Sequence, residues 1–214
     1  MLTPETQTAL TVLYADDAIV VVDKAANLLS VPGKGPQGQE CLWRRVQEHY
    51  PTARIVHRLD YATSGVMVLA LSAESHRALS IQFQDRKTDK RYQAVVSGTP
   101  KTDSGSVDLP LRCDWERRPL QIVDHEQGKA ALTHWQATGS TELGTRIELH
   151  PITGRSHQLR VHMMAMGHPI IGDQFYAPES VRDASPRLLL HAEMLSFDHP
   201  VSGERLIVEA PCPF

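Results

Sequence analysis

The densest group of reactive side chains lies in residues 55–65, which read IVHRLDYATSG. His57, Arg58 and Asp60 fall within four positions, and turn-forming residues follow them up to Gly65. Because substrate can reach a carboxylate placed where a strand ends, Asp60 is a candidate nucleophile or base for chemistry at a sugar carbon. The alternative is that Asp60 only closes a turn through its side chain. The local pattern leaves both interpretations open.

A second polar group occupies residues 151–162, which read PITGRSHQLRVH. Gly154 is expected to form a turn, with Arg155 at the junction between this loop and a helix that carries Arg160. Arginines near the N-terminus of a helix bind anions such as a phosphate or a carboxylate. A surface helix with solvated arginines fits the same residues equally well.

Two further segments combine positive charge with an aromatic residue. Residues 86–92 carry four basic side chains against the single acid Asp89, and they end at Tyr92. In the other segment, Trp115 lies just before Arg117 and Arg118. Basic side chains neutralise a nucleic-acid backbone, and an aromatic ring can stack on a base. A solvated charge run and an ordinary loop tip are the alternatives for the two segments.

The sequence lacks the motifs of several enzyme classes. Its eleven histidines form no HExxH pattern and stand near no paired cysteines, so we expect no metal site. No GxSxG, P-loop or GxGxxG segment occurs, so we expect no nucleotide cofactor and no serine-hydrolase chemistry. A carboxylate, arginines and a tyrosine remain, and this set suits cofactor-free chemistry at a sugar or a base.

Length and composition indicate the class of protein. The chain has 214 residues, of which 41% are hydrophobic and 22% are charged, as in globular proteins with a core of their own. Its formal net charge of −3 creates no overall positive field, so a nucleic-acid partner would need a locally positive face. Cys41, Cys113 and Cys212 fit no disulfide framework, and the N-terminus has no secretory signal, so we predict a cytoplasmic protein.

The elements that must position these residues follow from hydrophobic spacing and turn signals. Strands are predicted at residues 11–14, 18–22, 66–71, 92–96, 130–138, 145–150, 187–190 and 205–209, and helices at residues 40–50, 73–84 and 156–166. Strands outnumber helices and do not alternate with them. We therefore predict an α+β fold, with a large mixed, mostly antiparallel sheet flanked by helices and loops.

The motifs together resemble the RluA-type family of pseudouridine synthases. The matches, in chain order, are the opening segment around Asp23-Lys24 and residues 28–32, HRLDYATSG at 57–65, KRY at 90–92, GRSHQLR at 154–160 and RLLLHA at 187–192. In the family, the second of these is the HRLDxxTSG active-site motif. Ala25 and Asn27 depart from the Pro and Gly that the family usually has in its opening segment. The likeness extends over about residues 12–211.

The resemblance implies the fold and the catalytic residues. It implies a single pseudouridine synthase domain at residues 10–214, after a short tail at residues 1–9, without the S4-like RNA-binding domain of many relatives. Asp60 would be the catalytic aspartate, and Arg160 would pair with it and favour its carboxylate form. Tyr92 would stack on the uracil and serve in the late removal of the C5 proton.

The resemblance also implies how substrate is bound. Arg58 would fill the stack that the target base vacates, and Leu189, with its two leucine neighbours, would wall the base pocket. His57 and Arg155 are the remaining predicted substrate-binding residues. Because the glycosidic bond is hidden inside a stacked helix, the target nucleotide must be flipped out.

The implied substrates are structured stem-loops of tRNA and 23S rRNA. The expected targets are position 32 of tRNA anticodon stem-loops and position 746 of 23S rRNA, modified by a monomer without cofactor. One alternative is a non-catalytic RNA-binding or ribosome-assembly factor on the same scaffold, which would not need Asp60 and Arg160 together. Another is a nucleoside hydrolase or glycosidase, for which no second acid stands in a comparable motif.

Overall fold

The structure, a computed structural model, describes residues 10–214 apart from the side chains of residues 36 and 37. The predicted tail at residues 1–9 lies outside the described residues. Twelve strands and four α-helices occur over the described residues. They are β1 (Thr11–Ala15), β2 (Ile19–Lys24), α1 (Leu42–His49), β3 (Arg54–Ile55), β4 (Ser64–Ala70), α2 (Ala73–Gln84), β5 (Asp89–Val96), β6 (Ser104–Asp108), β7 (Leu111–Cys113), β8 (Gln121–Val123), β9 (Leu132–Thr141), β10 (Gly144–Pro151), α3 (Gln158–Ala165), α4 (Glu179–Arg182), β11 (Leu190–Asp198) and β12 (Arg205–Glu209).

The chain forms two compact units. Of the described residues, the first contains 10–90 together with Ala192–Pro213, and the second contains Arg91–His191 together with Phe214. Both boundaries fall within strands, one in β5 and the other in β11. The single domain expected for residues 10–214 stays a prediction.

Strands β2 and β4 form the buried centre of the first unit. They pair antiparallel, from Ile19 opposite Ala70 to Lys24 opposite Gly65, and every residue of β4 is buried. Burial on both faces explains why these strands read as continuous apolar runs rather than as alternating patterns. Strand β1 pairs with β2, β3 with β4, and β12 with β11, all antiparallel.

Helix α2 packs against the sheet of the first unit and begins where the sequence predicts. The Oγ atom of Ser72 accepts a hydrogen bond from the backbone N–H of Ser75 at 3.0 Å, which satisfies one of the free N–H groups at the helix start. Leu79 of this helix is fully buried in an apolar cluster with Val68 and Phe197. The helix therefore fixes one face of β4.

The second unit is built on an antiparallel sheet in which β5, β10, β9 and β6 are neighbours in that order. Buried and partly buried residues alternate along β10, as expected when one face of a strand packs on a core. Strands β7 and β8 form a separate hairpin. This hairpin and α3 share an apolar cluster centred on Leu111, Ala131 and Val161.

The α+β class and the antiparallel pairing are confirmed, and the strand predicted at residues 187–190 is wrong in its bounds. Strand β11 begins only at Leu190 and continues to Asp198. The backbone of Leu189 bonds to two separate segments, donating to Ile171 O at 2.9 Å and accepting from Val95 N at 3.1 Å. Leu189 is thus buried and hydrogen-bonded although it lies in no strand. The sequence pattern of such a residue is the same apolar run that a buried strand shows.

Short elements were not predicted, because too few residues carry a periodic pattern. Strands β6, β7 and β8 and helix α4 have three to five residues each. Over residues 10–214, no helix is long and apolar enough to cross a membrane.

Candidate active site

Asp60 lies in the loop between β3 and β4 of the first unit, where the sequence predicts an accessible carboxylate. The residue is half-buried, and its neighbours Arg58 and Tyr61 are exposed. The backbone carbonyl of Asp60 accepts a hydrogen bond from Thr63 N at 3.2 Å, which forms a turn. Gly65 follows with φ of 117°, and a Cβ atom there would lie 2.2 Å from the carbonyl oxygen of Ala192. The glycine of the motif therefore allows close backbone packing after the loop.

Ser30 fixes the residue before Asp60. Its Oγ atom donates to the carbonyl of Leu59 at 2.7 Å and accepts from the N–H of Leu59 at 3.1 Å. Both side chains are buried. One hydroxyl thus satisfies both backbone polar groups of the buried Leu59, which holds the loop in one conformation.

Lys24 fixes the residue after Asp60. Its side chain is fully buried, and Nζ donates to the carbonyls of Ala25 at 2.9 Å, Leu28 at 2.8 Å and Tyr61 at 3.2 Å. The carbonyl of Tyr61 also accepts a hydrogen bond from the N–H of Leu28 at 3.2 Å. Both neighbours of Asp60 are therefore attached to the segment that follows β2, a rigid placement of the kind that catalysis needs.

Replacing Lys24 by Met is expected to lower the free energy of unfolding by about 3 kcal/mol and to reduce activity with it. The substitution keeps most of the side-chain volume but removes a donor from the buried carbonyl of Leu28 and from the part-buried carbonyls of Ala25 and Tyr61, at about 1–3 kcal/mol for an unsatisfied group. Urea denaturation measures the loss. Lys34→Met removes the same charge from an exposed position in the neighbouring loop and is expected to change stability little. Equal stability of the two variants would contradict the role given to Lys24.

His57 is enclosed by helix α2 and the sheet. Its ring stacks on Phe83 with centroids 4.5 Å apart, and Nε2 accepts a hydrogen bond from the backbone N–H of Val68 at 3.1 Å. Burial, with a smaller contribution from the charge of Lys90, lowers the pKa of His57 from 6.5 to about 3. The imidazole is therefore neutral near pH 7, and its predicted part in substrate binding stays a prediction.

The neutral His57 is expected to make the protein less stable in mild acid. Below pH 6.5 the unfolded chain binds a proton at this residue, whereas the folded chain does not until about pH 3, so stability falls as the pH falls. His57 alone contributes about 2 kcal/mol to the loss at pH 5 relative to pH 7. Urea denaturation of wild type and His57→Gln at both pH values measures it.

The control for this pH dependence is the exposed residue His125. His125→Gln is expected to keep the wild-type decrease in stability between pH 7 and pH 5, and His57→Gln to remove most of the 2 kcal/mol. A His57→Gln variant with the full wild-type decrease would show that this imidazole is not the group responsible.

In the second unit, Arg160 is buried in an ion pair with Asp173. The guanidinium donates through Nε to Oδ2 at 2.8 Å and through Nη2 to Oδ1 at 2.6 Å, and the side chains are 4% and 0% exposed. Oδ1 of Asp173 also accepts from the backbone N–H groups of Phe175 at 2.9 Å and Tyr176 at 3.2 Å. This two-pronged pair fixes the plane of the guanidinium.

Two aromatic rings also lie next to this ion pair. Its guanidinium carbon lies 5.0 Å from the ring centre of Phe175 and 5.1 Å from that of Tyr176. The hydroxyl of Tyr176 accepts from Gln121 N at 2.9 Å and lies 2.6 Å from Nδ1 of His157. Because that hydroxyl already accepts one hydrogen bond, it can donate its own proton to His157.

A chain of buried hydrogen bonds holds the start of α3. Thr153 Oγ1 accepts from Leu132 N at 2.9 Å and donates to Gln158 Oε1 at 2.7 Å. Gln158 Nε2 donates to Thr133 Oγ1 at 3.0 Å, and Thr133 Oγ1 lies 2.9 Å from Nδ1 of His162. Since burial lowers the pKa of His162, the neutral imidazole accepts here and each group has a partner.

The other predicted residues of the second unit lie on three different segments of the chain. Tyr92 is half-buried on β5, opposite Leu149 of β10. Arg155 stands before α3, with its N–H bonded to Gln158 Oε1 at 3.0 Å and its Nε to Ala130 O at 3.1 Å. Leu189 is buried in an apolar cluster with Val95 and Ile171.

Ion pairs engage both the acid and a base of the basic segment at residues 86–91. Arg205 of β12 is bonded to Asp89 and donates to the carbonyl of Lys87 at 2.8 Å. Arg91 lies 3.7 Å from Glu148. Among residues 10–214, no three His, Cys, Asp or Glu side chains are grouped as they would be around a metal ion.

Comparison with protein families gives the class of this chain. A model of the RNA pseudouridylate synthase family matches residues 18–165. The chain belongs to the RNA pseudouridylate synthases. The matched region contains Asp60, Tyr92 and Arg160, together with the Lys24 and Ser30 contacts that hold the Asp60 loop.

Relatives resemble this synthase along nearly their whole length. A protein named Dual-specificity RNA pseudouridine synthase RluA in Escherichia coli strain CFT073 is 50% identical over 212 residues, which cover 99% of this chain and 97% of the relative. The Pasteurella multocida protein of that name is 49% identical over 213 residues, with the same coverage.

Two solved human structures share the fold of the synthase. RNA Pseudouridylate Synthase Domain Containing 1 has a TM-score of 0.83 at 28% identity and covers 100% of this chain and 87% of its own. Domain Containing 4 has a TM-score of 0.75 at 26% identity, with coverage of 95% and 88%. The predicted family, fold class and enzyme class, an isomerase, are confirmed, and the non-catalytic alternative is not favoured.

Proposed function

We propose that this synthase converts uridine to pseudouridine in two kinds of structured RNA, namely tRNA anticodon stem-loops at position 32 and 23S rRNA at position 746. The likeness over 99% of the chain to a relative named as a dual-specificity synthase carries the proposal. The motif resemblance to the compact branch of the RluA-type family supports the same two substrates. The enzyme is proposed to act as a cytoplasmic monomer.

The reaction proceeds on a uridine flipped out of its stack. Asp60 acts at the sugar while the N1–C1′ bond breaks, and the uracil then reattaches through C5 to C1′. The C5 proton leaves and N1 gains a proton, so atoms and electrons balance without any cofactor. The fixed backbone on either side of Asp60 supports this role, because it holds the residue in place while the base turns.

Tyr92 and Arg160 are proposed to act in the same reaction. Tyr92 stacks on the uracil and takes part in removing the C5 proton, and stacking repays about 1–3 kcal/mol of the cost of flipping. Arg160 is proposed to pair with Asp60, as the resemblance implies. Its bond to the buried Asp173 supports a guanidinium of fixed orientation.

The substrate-binding residues follow the same proposal. Arg58 is exposed, which suits a side chain that fills the place of a flipped base. Leu189 is proposed to contribute to an apolar wall for the base, and Arg155 to bind RNA near the start of α3. His57 is proposed to support RNA binding from its enclosed position.

The test uses purified protein and two transcripts, a tRNA anticodon stem-loop and the matching 23S rRNA hairpin. Carbodiimide-dependent primer-extension stops report pseudouridine, with Asp60→Asn as the inactive control. Modification of both RNAs by wild type alone supports the full proposal. Modification of one RNA rejects the dual specificity, and tight binding without modification of either rejects the proposed substrates.

A further inference from the structure

The loop between β7 and β8 carries an exposed tryptophan that the catalytic motifs do not include. Trp115 is 64% exposed, and the guanidinium carbon of Arg118 lies 3.8 Å from the centre of the indole ring. A cation at this distance stacks on one face of the ring. The pair thus forms a flat, water-exposed surface in the second unit, here called the Trp115 platform.

The loop that carries the Trp115 platform is ordered by its own hydrogen bonds. Asp114 N donates to Leu120 O at 2.9 Å, and Leu120 N donates to Arg117 O at 3.0 Å. The guanidinium of Arg117 bonds to Oδ2 of Asp114 at 2.7 Å, and this contact lowers the pKa of that carboxyl. A partner would therefore bind a pre-formed surface, and little conformational entropy of the loop would be lost on binding.

The same loop ends beside the segment that carries Arg160. Gln121, the first residue after the loop, donates to the hydroxyl of Tyr176, and that hydroxyl contacts His157. The β7–β8 hairpin also packs on α3, with Leu111 and Val161 in one buried cluster. Two hydrogen bonds thus connect the loop to the motif GRSHQLR.

Charge and chemistry favour a nucleobase as the partner of this surface. The loop has two acids, Asp114 and Glu116, against two bases, Arg117 and Arg118, and therefore no net charge. Asp114 neutralises Arg117 directly, so the loop is poorly suited to hold several phosphates. An open aromatic face extended by a guanidinium suits stacking on a base instead, and the polar neighbours of Trp115 do not suit an apolar protein interface.

We propose, on the basis of the function proposed above, that the Trp115 platform stacks on an unpaired base of the substrate RNA outside the flipped nucleotide. The contact selects RNA with an unstacked base near the target, which is a feature of loops rather than of continuous helices. It would add to affinity without adding a phosphate contact.

The test compares Trp115→Leu and Trp115→Phe with wild type. Fluorescence anisotropy of a labelled anticodon stem-loop gives Kd at several salt concentrations, and modification assays give KM. Trp115→Leu is expected to raise Kd and KM roughly tenfold through the lost stacking, while Phe restores most of the affinity. The slope of log Kd against log salt is expected to stay unchanged, because no phosphate contact is lost.

A matched control is Leu143→Ala, at an exposed apolar residue of the same unit, which is expected to leave Kd unchanged. If Trp115→Leu binds RNA as tightly as wild type, the inference is overturned. A protein would then be the partner to test for this surface. Equal losses in the Leu and Phe variants would overturn it as well, because stacking needs only an aromatic ring. Wild-type enzyme that forms no pseudouridine in either transcript would instead reject the proposed function.

Discussion

Asp60→Asn is expected to abolish pseudouridine formation while RNA affinity stays within several-fold of wild type. The amide keeps the shape of the carboxylate but can act neither as a nucleophile nor as a base, and general acid–base catalysis alone contributes about 10²–10⁴-fold. A carboxylate is no ligand for phosphate, so the RNA contacts survive its loss. Single-turnover modification assays and filter binding measure the two quantities on the same protein.

The matched control for Asp60 is Asp17→Asn, which removes the same charge from an exposed turn of the first unit. It is expected to keep full activity and full affinity. Residual turnover by Asp60→Asn within tenfold of wild type would exclude Asp60 as the catalytic group. A large loss of RNA affinity in this variant would instead place the carboxylate in the binding surface.

The local structure around Asp60 could be predicted from sequence because short-range signals determine it. The buried β4, the Ser72 cap and the turn that ends at Gly65 follow from adjacent residues and their spacing. The contacts that hold the loop could not be predicted this way. Ser30 bonds to a residue 29 positions away and Lys24 to one 37 positions away, and no periodic pattern reports such distances.

Lys24 shows why a buried charge is hard to predict. Three of its partners are backbone carbonyls, and every residue has a carbonyl, so the residue types give no signal for these contacts. A lysine that follows the buried run of β2 is read as the polar end of a strand. Lys24 becomes buried only because the segment after β2 turns back and places its carbonyls around the ammonium group.

Asp173 was missed, although the sequence carried a signal for it. Arg160 stands in the apolar helical segment LRVHMM, and a buried guanidinium requires an acidic partner. Asp173 follows the apolar run PIIG and is itself fully buried. Two opposite charges that stand next to apolar runs are candidates for one buried ion pair. Arg160 and Asp173 are 13 residues apart and form such a pair in the structure.

Breaking the Arg160–Asp173 pair is the stability change with the largest expected effect. Arg160→Met and Asp173→Leu each leave one charge buried without its partner, which costs about 3–5 kcal/mol in the free energy of unfolding. The control is Arg182→Met, which removes the solvent-accessible ion pair between Arg182 and Asp183 at the end of α4. It is expected to lower the free energy of unfolding by at most about 1 kcal/mol. Urea denaturation of the three variants measures these costs.

The double variant Arg160→Met/Asp173→Leu separates the structural role of the pair from the catalytic role of its arginine. With both charges of the buried pair gone, neither member of that pair is stranded, so the double variant is expected to be more stable than either single variant. Activity is expected to stay lost, because Asp60 would still lack its proposed partner. Restored activity in the stable double variant would show that Arg160 serves only to support the fold. Additive losses of stability would show instead that the two charges do not depend on each other.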